Sequence, residues 1–184
     1  MRSVSVSWDT EGGRFIALGS HRGQEIVINA PRAEGETRGP TGFSATELLL
    51  AGAGACAAWD VVEILRKRRT RVTSFDVAVE SDQAPDPPWT YQRVALHFRI
   101  GGEGLSLPVL ARVIRLSIVR YCSVVTTLAA AAAIEATVEL VAADGSSSGR
   151  VPIELAIPAS PALAADLAAI GVPEPAEDEE ELED

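Results

Sequence analysis

The first thirty positions of the chain contain short runs with strand character, separated by polar and glycine-containing turns. Three such runs cover residues 3–8, 14–18 and 24–29. Glu11-Gly12-Gly13 lies between the first two runs and favours a turn. Residues 31–42 are rich in Gly, Pro and charged side chains, and we expect a loop there.

A long helix is predicted over residues 45–69. Ser44 and Glu47 make the S-x-x-E pattern of a capping box at its start, and basic residues close its end. Gly52 and Gly54 lie inside the helix, where each costs about 1 kcal/mol relative to Ala. Their stripe of small residues is typical of a helix that another backbone approaches closely, and a second copy of the chain is one natural partner.

After this helix the pattern alternates between strand and helix periods. It predicts strands over residues 72–80 and 91–100, a helix from Pro108, a restart near Cys122 and a last strand over 134–141. We therefore predict a main domain over residues 1–141 and a C-terminal extension over residues 142–184.

The net charge of −10 is concentrated at the end of this extension. Residues 174–184 contain eight acidic and no basic residues, whereas residues 1–173 carry a net charge of −2. We expect the acidic tail to stay unfolded, because it has too little apolar surface to bury. The rest of the extension is predicted to hold a short strand over residues 151–157 and a small helix between Ser160 and Gly171.

Charge and hydropathy exclude several classes of protein. A nucleic-acid-binding protein needs a basic face, and the basic cluster at Arg66–Arg71 lies at a helix end, where it complements the macrodipole. The longest apolar run, Leu48–Trp59, has 12 residues, fewer than the roughly 20 of a membrane-spanning helix. The N-terminus lacks the apolar segment of a secretory signal. We therefore expect a cytoplasmic protein that binds neither nucleic acid nor membrane.

Cys56 and Cys122 are the only two cysteines of the chain. In a reducing compartment such a pair is more often catalytic or metal-binding than a static disulfide, although free Cys is also a common buried apolar residue. The two residues lie 66 positions apart, without the closely paired ligands of structural zinc sites. We expect no metal and no cofactor.

The two cysteines occupy different predicted positions. Cys56 lies about three turns inside the helix, beyond the reach of the N-terminal dipole, so a reactive thiolate there needs a nearby cation. The upstream arginines are the candidates: Arg14, Arg22, Arg32 and Arg38. Cys122 lies at a predicted helix start, where we expect the pKa of its thiol to fall.

Glu47 has two interpretations. It precedes Cys56 by nine residues, about two and a half turns, so its carboxylate would lie on the same general face and hold an arginine in position. Closing the capping box explains the same residue equally well.

Two motifs resemble the OsmC/Ohr superfamily of thiol-dependent hydroperoxide reductases. The sequence GPTGFSATELLL, followed by CAAWD and ILRK, is similar to the first-cysteine helix of that family, and RYCSV is similar to its second-cysteine segment. The resemblance covers residues 3–140. ELLL and YCSV are most similar to the YhfA-like branch, whereas the hydroperoxide-resistance branch has Cys-Pro at the second site.

The resemblance implies an α+β fold and an intertwined homodimer, in which two central cysteine-bearing helices are wrapped by antiparallel sheets. It implies that Cys56 is the peroxidatic residue, which an organic hydroperoxide oxidises to a sulfenic acid, and that Cys122 resolves it as an intramolecular disulfide. Glu47 matches the acidic residue of the family motif, and Arg14 is our match for the arginine beside the reactive cysteine. The reductant would be a dithiol, for example on a lipoylated protein.

We therefore predict a thiol-dependent peroxidase for alkyl or lipid hydroperoxides. Two other classes stay open: a redox-sensing or small-molecule-binding protein whose cysteines react without turnover, and a structural dimer with inert cysteines. At the second site this chain has Tyr121-Cys122-Ser123 instead of Cys-Pro. This departure concerns both whether peroxide is turned over and which class of substrate is used. Phe43, Trp59 and Tyr121 would suit an alkyl tail, although each alone is more typical of a core.

Overall fold

The computed structural model describes residues 3–20, 24–30 and 41–157. The chain forms two compact units, residues 1–52 and 53–184. The small helix predicted between Ser160 and Gly171 and the acidic tail lie outside the described residues.

The first unit contains a three-stranded antiparallel sheet in the order β1-β2-β3. Its strands are β1 (Val4–Asp9), β2 (Arg14–Gly19) and β3 (Glu25–Ile28), so the three predicted strands are confirmed. In the turn between β1 and β2, Gly13 has a φ of +59°, which favours glycine. Asp9 closes this turn by accepting a hydrogen bond from the Gly12 N–H at 3.1 Å and by pairing with Arg14 at 2.9 Å.

Several large apolar side chains of this sheet are exposed in the single chain. Val4 is 69% exposed and Trp8 is 53% exposed, although the Trp8 ring lies 4.8 Å from that of Phe15. Val6, Leu18 and Ile26 are exposed as well. An apolar surface of this extent is typical of an interaction site.

Helix α1 (Ala45–Lys67) confirms the predicted long helix. Its capping box is formed as predicted: the Glu47 N–H donates to Ser44 Oγ at 3.1 Å, and the Ser44 N–H donates to Glu47 Oε2 at 2.7 Å. In the second unit one face of α1 is fully buried, at Ala53, Ala57, Val61 and Leu65. Their spacing of four residues is that of one helix face packed on a core.

By length and apolar composition, α1 is also the one helix among the described residues that could cross a membrane. The length of the longest apolar run did not predict a helix long enough to cross a membrane, because Asp60 ends that run after Trp59. A single such helix is weak support for a membrane segment, since the core helix of a globular protein has the same composition.

The second unit contains a four-stranded sheet in the order β4-β5-β6-β7. Its strands are β4 (Val72–Gln83), β5 (Tyr91–Gly102), β6 (Ala133–Val141) and β7 (Val151–Ile153). All pairs are antiparallel except β5 with β6, which is parallel. A parallel pair requires a crossover, and three elements form it: α2 (Leu107–Leu116), a π-helical segment (Ser117–Tyr121) and α3 (Ser123–Leu128).

The core of the second unit lies between the helices and one face of this sheet. Leu96, Phe98 and Ile100 alternate along β5 and are at most 1% exposed. The other face carries ion pairs, such as Arg93 with Asp82 at 3.1 Å and with Glu135 at 2.9 Å. The cysteine-bearing elements therefore pack on the apolar side of the sheet.

The two glycines inside α1 have different surroundings. A Cβ added to Gly54 would lie 2.8 Å from Val79 Cγ2 of β4, too close for an unmoved neighbour, whereas a Cβ on Gly52 would meet nothing within 4 Å. The expectation that both glycines serve the approach of a second chain is therefore wrong for Gly54, because a strand of the same chain fills that space. For Gly52 it stays a prediction.

Candidate active site

Cys56 is a free, half-buried thiol in the regular part of α1. Residues four positions apart share one helix face, so its neighbours one turn away are Gly52 and Asp60. Gly52 has no side chain to cover the sulfur from the preceding turn. This arrangement keeps the Cys56 thiol accessible to a small molecule.

Cys122 is a free thiol with no exposed surface. At the end of the π-helical segment its N–H donates to the Ser117 carbonyl at 2.8 Å. The buried Ser117 hydroxyl donates to the carbonyl of Ala57 in α1 at 2.9 Å. These bonds hold the second cysteine against the first-cysteine helix, where Cys122 Sγ lies 4.0 Å from the Ala53 carbonyl oxygen.

The Cys122 thiol, which donates to the Ala53 carbonyl, also lies within interaction range of the Cys56 thiol. Burial, and after it the neighbouring Cys56 thiol, raises the pKa of Cys122 to about 12. The expectation of a lowered pKa at a helix start is therefore wrong. Backbone N–H groups of α3 do act in the predicted direction, but α3 has only six residues, and desolvation of the thiol outweighs them.

The two thiols are thus unequal partners in contact. Cys122 keeps its proton at neutral pH. The accessible sulfur can react with an incoming oxidant, and the buried sulfur lies where it can bond to the oxidised one. Such a pair can pass from thiol through sulfenic acid to disulfide.

Two polar residues near the cysteines were missed by sequence reasoning. Asp60 is half-buried one turn after Cys56 and makes no contact with a polar partner among the described residues. Burial raises the pKa of its carboxyl. Its spacing of four residues from Cys56 was visible in the sequence, whereas its burial was not. The role of Ser117 depends on the π-helical geometry, which no sequence pattern indicated.

Glu47 and Arg14 are both bonded to near neighbours in the first unit. Glu47 accepts hydrogen bonds from the Ser44 N–H and hydroxyl, which lower the pKa of its carboxyl. Arg14 pairs with Asp9. Glu47 and Arg14 form no ion pair with each other in the part of the chain that the structure describes. Their roles beside the reactive cysteine stay predictions, and the other three candidate arginines lie outside the described residues.

The three aromatic residues considered for an alkyl tail are all exposed. Trp59 is 71% exposed, Tyr121 59% and Phe43 49%. The interpretation of each as a core residue is therefore wrong for the single chain. Trp59 and Tyr121 lie close in sequence to the two cysteines, so apolar surface adjoins both cysteine segments.

A model of the OsmC-like protein family matches residues 36–137, more than half of the chain. The chain belongs to the OsmC-like family. It is 34% identical over 138 residues to protein YhfA of Escherichia coli strain K12, an alignment that covers 75% of this chain and 97% of YhfA. The predicted family is therefore confirmed, while the name YhfA carries no information about activity.

Solved structures share the fold of this chain. A hypothetical protein from Aquifex aeolicus VF5 aligns with a TM-score of 0.64 at 22% identity, over 77% of this chain and 97% of that protein. An organic hydroperoxide resistance protein OsmC from Legionella pneumophila aligns with a TM-score of 0.54 at 16% identity, over 75% and 96%. At these identities the similarity establishes the fold, and the predicted α+β OsmC-like class is confirmed.

Other potential ligand sites in this OsmC-like protein do not involve the cysteines. In the described part of the chain, no group of three His, Cys, Asp or Glu side chains is placed to hold a metal ion. A shallow cavity of about 290 Å³ lies on the sheet of the second unit, lined by residues that include Asp76, His97 and Arg99. Neither Cys56 nor Cys122 lines this cavity. The cysteine pair is therefore a separate site, and it is the candidate site for the family's chemistry.

Proposed function

We propose that this OsmC-family protein is a thiol-dependent peroxidase, in which Cys56 reduces organic hydroperoxides and Cys122 resolves the oxidised product. The observation that carries the proposal is the contact between two free sulfurs of unequal exposure. A half-buried sulfur beside a fully buried, protonated one has the accessibility and the partner that two-step thiol oxidation needs. The name of the Legionella pneumophila relative, an organic hydroperoxide resistance protein, agrees with this reaction class.

The reaction has two oxidative steps and one reductive step. The Cys56 thiolate attacks the outer oxygen of the hydroperoxide, the O–O bond breaks, and a sulfenic acid and an alcohol form after one proton is taken up. The Cys122 sulfur then bonds to the Cys56 sulfur, and the Cys122 proton leaves with the sulfenic hydroxyl as water. A dithiol, for example on a lipoylated protein, returns two electrons and two protons to the disulfide.

An arginine, with Arg14 as the candidate, is proposed to stabilise the Cys56 thiolate, and Glu47 is proposed to hold that arginine in position. In the single chain each is held by a local partner, Ser44 and Asp9. The proposed dithiol reductant is kept reduced in a reducing compartment. The proposal therefore includes a cytoplasmic location.

The proposal also includes a homodimer. On α1 the side opposite the buried face carries Gly52 and the exposed side chains of Leu49, Trp59 and Val62. Exposed apolar surface on a cysteine-bearing helix is suited to a second copy of the same helix. Light scattering at micromolar concentration tests this part, and a monomer would contradict it.

One observation favours a redox sensor without rapid turnover as the second candidate. Resolution needs the Cys122 sulfur as a nucleophile, and the thiolate is the nucleophilic form. With the pKa of Cys122 raised to about 12, thiolate is scarce at neutral pH, and disulfide formation would be slow. A sensor can function with slow disulfide formation. A peroxidase requires Cys122 to become less buried after Cys56 is oxidised.

Single-turnover stopped-flow kinetics with cumene hydroperoxide separates these candidates. The peroxidase predicts saturable consumption with a dithiol reductant, and a Cys56–Cys122 disulfide in the mass spectrum. Cys56→Ser should abolish peroxide consumption, and Cys122→Ser should leave a sulfenic acid on Cys56 that dimedone labels. Stoichiometric oxidation without turnover would favour the sensor. No disulfide in the wild type, together with no dimedone adduct in Cys122→Ser, would contradict both.

A further inference from the structure

A group of five cations, which we call the basic cluster, lies at the end of helix α1. Its members are Arg66, Lys67, Arg68, Arg69 and Arg71, and all are exposed. Two of them have an acidic partner: Arg66 pairs with Glu63 at 2.9 Å, and Arg71 pairs with Glu103 at 3.5 Å. The other three form no ion pair within the described residues. The basic cluster therefore holds a surplus of positive charge.

The end of the helix accounts for only part of this charge. Cations stabilise the last turn of a helix through the macrodipole, an effect that fades beyond that turn, and α1 ends at Lys67. Arg69 lies past that end with a φ of +58°, and its N–H donates to the Arg66 carbonyl at 2.9 Å. The Thr70 N–H donates to the Leu65 carbonyl at 3.1 Å and completes a C-terminal cap. Glycine is the residue that favours this capping position, so the backbone does not explain an arginine there.

We propose that the basic cluster is an interaction surface for the acidic tail, residues 174–184 of the same chain. The tail has the opposite charge, because it contains eight acidic and no basic residues, and residues 177–181 are all acidic. The rest of the chain, residues 1–173, carries a net charge of only −2. The acidic residues paired with the basic cluster, Glu63 and Glu103, are each used by one arginine. This interaction does not depend on the peroxidase function.

The intervening chain is long enough to bring the tail to the basic cluster. Residues 158–173 lie between the described part of the chain and the tail, and a chain of that length spans up to about 55 Å when extended. A compact unit of about 100 residues has a radius of gyration of only about 13 Å.

The connection also compensates for the weakness of exposed ion pairs. A tethered partner is present at an effective concentration of about 1 mM, so an affinity of that order keeps about half of the molecules in the bound state. The bound tail neutralises the surplus charge of the basic cluster. Another anionic molecule then has to displace the tail before it can bind at the end of α1.

Lys67 is the only lysine of the chain, which allows a specific cross-linking test on the full chain. A carbodiimide joins an amine directly to a carboxylate that it contacts. We expect it to join Lys67 to a carboxylate within residues 177–181, identified by peptide mass spectrometry, in a product that runs as a single chain on a denaturing gel. About 1 M NaCl, which shortens the Debye length to about 3 Å, should lower the yield by about five-fold or more. An excess of free peptide with the sequence of residues 174–184 should do the same.

Two double variants locate the surface. Arg68→Gln with Arg69→Gly removes two charges of the basic cluster while glycine suits the φ of position 69, and the yield should fall by about five-fold or more. Arg112→Gln with Arg115→Gln removes the same charge from exposed positions on α2 and should leave the yield unchanged.

Three results would overturn the interaction. They are cross-links of Lys67 to Glu63 alone, a Lys67–tail cross-link whose yield is the same in high salt, and an equal loss in both double variants. A Lys67–tail cross-link that runs as two chains on the denaturing gel would show that a second copy supplies the tail, and it would overturn the assignment to the same chain.

Discussion

The two cysteine-bearing segments differ in backbone, burial and acid–base behaviour. Cys56 is half-buried in the middle of a regular α-helix, whereas Cys122 is fully buried where a π-helical segment meets a six-residue helix. Position relative to a helix start would make Cys122 the more acidic thiol, yet its pKa is raised to about 12. A helix terminus contributes about 0.3–1 kcal/mol at an exposed site, and complete burial of an ionising group can outweigh that several-fold. Burial, not helix position, decides the pKa of Cys122.

The contrast between the two thiols is tested most strongly by alkylation of the reduced native protein. With its pKa raised to about 12, Cys122 is a thiolate in only about one molecule in ten thousand at pH 8. We expect iodoacetamide to modify Cys56 at least 100-fold faster than Cys122, measured by peptide mass spectrometry over time. In urea both should react at similar rates. Equal rates in the native protein would show that Cys122 is not buried in solution.

The two glycines before Cys56 allow a matched test of how its helix is packed. Gly54→Ala puts a Cβ against Val79, and we expect the free energy of unfolding to fall by about 1–3 kcal/mol, measured by urea denaturation. Gly52→Leu adds its side chain at a position where a Cβ would meet no other described atom within 4 Å. It should therefore preserve the helical circular dichroism signal and instead weaken the proposed dimer in light scattering. An unfolded Gly52→Leu would contradict this assignment.

Removal of the hydrogen bond that joins the two cysteine-bearing segments should have a smaller effect. Ser117→Ala removes the buried hydroxyl that donates to the Ala57 carbonyl at 2.9 Å, and we expect a loss of about 1 kcal/mol in the free energy of unfolding. Iodoacetamide should also reach Cys122 faster in this variant. Ser123→Ala, at an exposed position directly after Cys122, is the control and should leave both values unchanged. An unaltered Cys122 rate in Ser117→Ala would show that this bond does not hold the segment.

The smallest expected effect concerns how the two helices begin. The helix that carries Cys56 starts with the Ser44–Glu47 capping box, whereas α3 has no side-chain cap hydrogen bond at Cys122. Hydrogen bonds from Ser44 lower the pKa of Glu47, so its contribution to stability is present above the ordinary glutamate pKa and is lost as the pH falls through the lowered value. We expect Glu47→Ala to lower the thermal midpoint at pH 7, and this difference from the wild type to shrink as the pH falls below the ordinary glutamate pKa. A constant difference across this range would contradict the charge dependence.

Local sequence predicted those elements whose causes lie within a few residues. The capping box at Ser44 and Glu47 correctly placed the start of α1, and short runs with strand character, separated by turns, correctly placed three strands in the first thirty residues. The parallel pairing of β5 with β6 was not predicted, because it joins residues about forty positions apart, such as Leu96 and Ala136. The π-helical segment was missed for a related reason, since its Ser117 hydroxyl bonds to a carbonyl 60 residues away.

The sequence by itself determined the family, through its two cysteine motifs, and it limited any thiol chemistry to two residues, since the chain has only two thiols. Tertiary structure alone decided that these thiols touch, that Cys122 is the buried and protonated one, and that Gly54 fits against Val79. The physical reason is that desolvation and close packing depend on groups far apart in the chain. A helix cap or a strand period depends only on near neighbours.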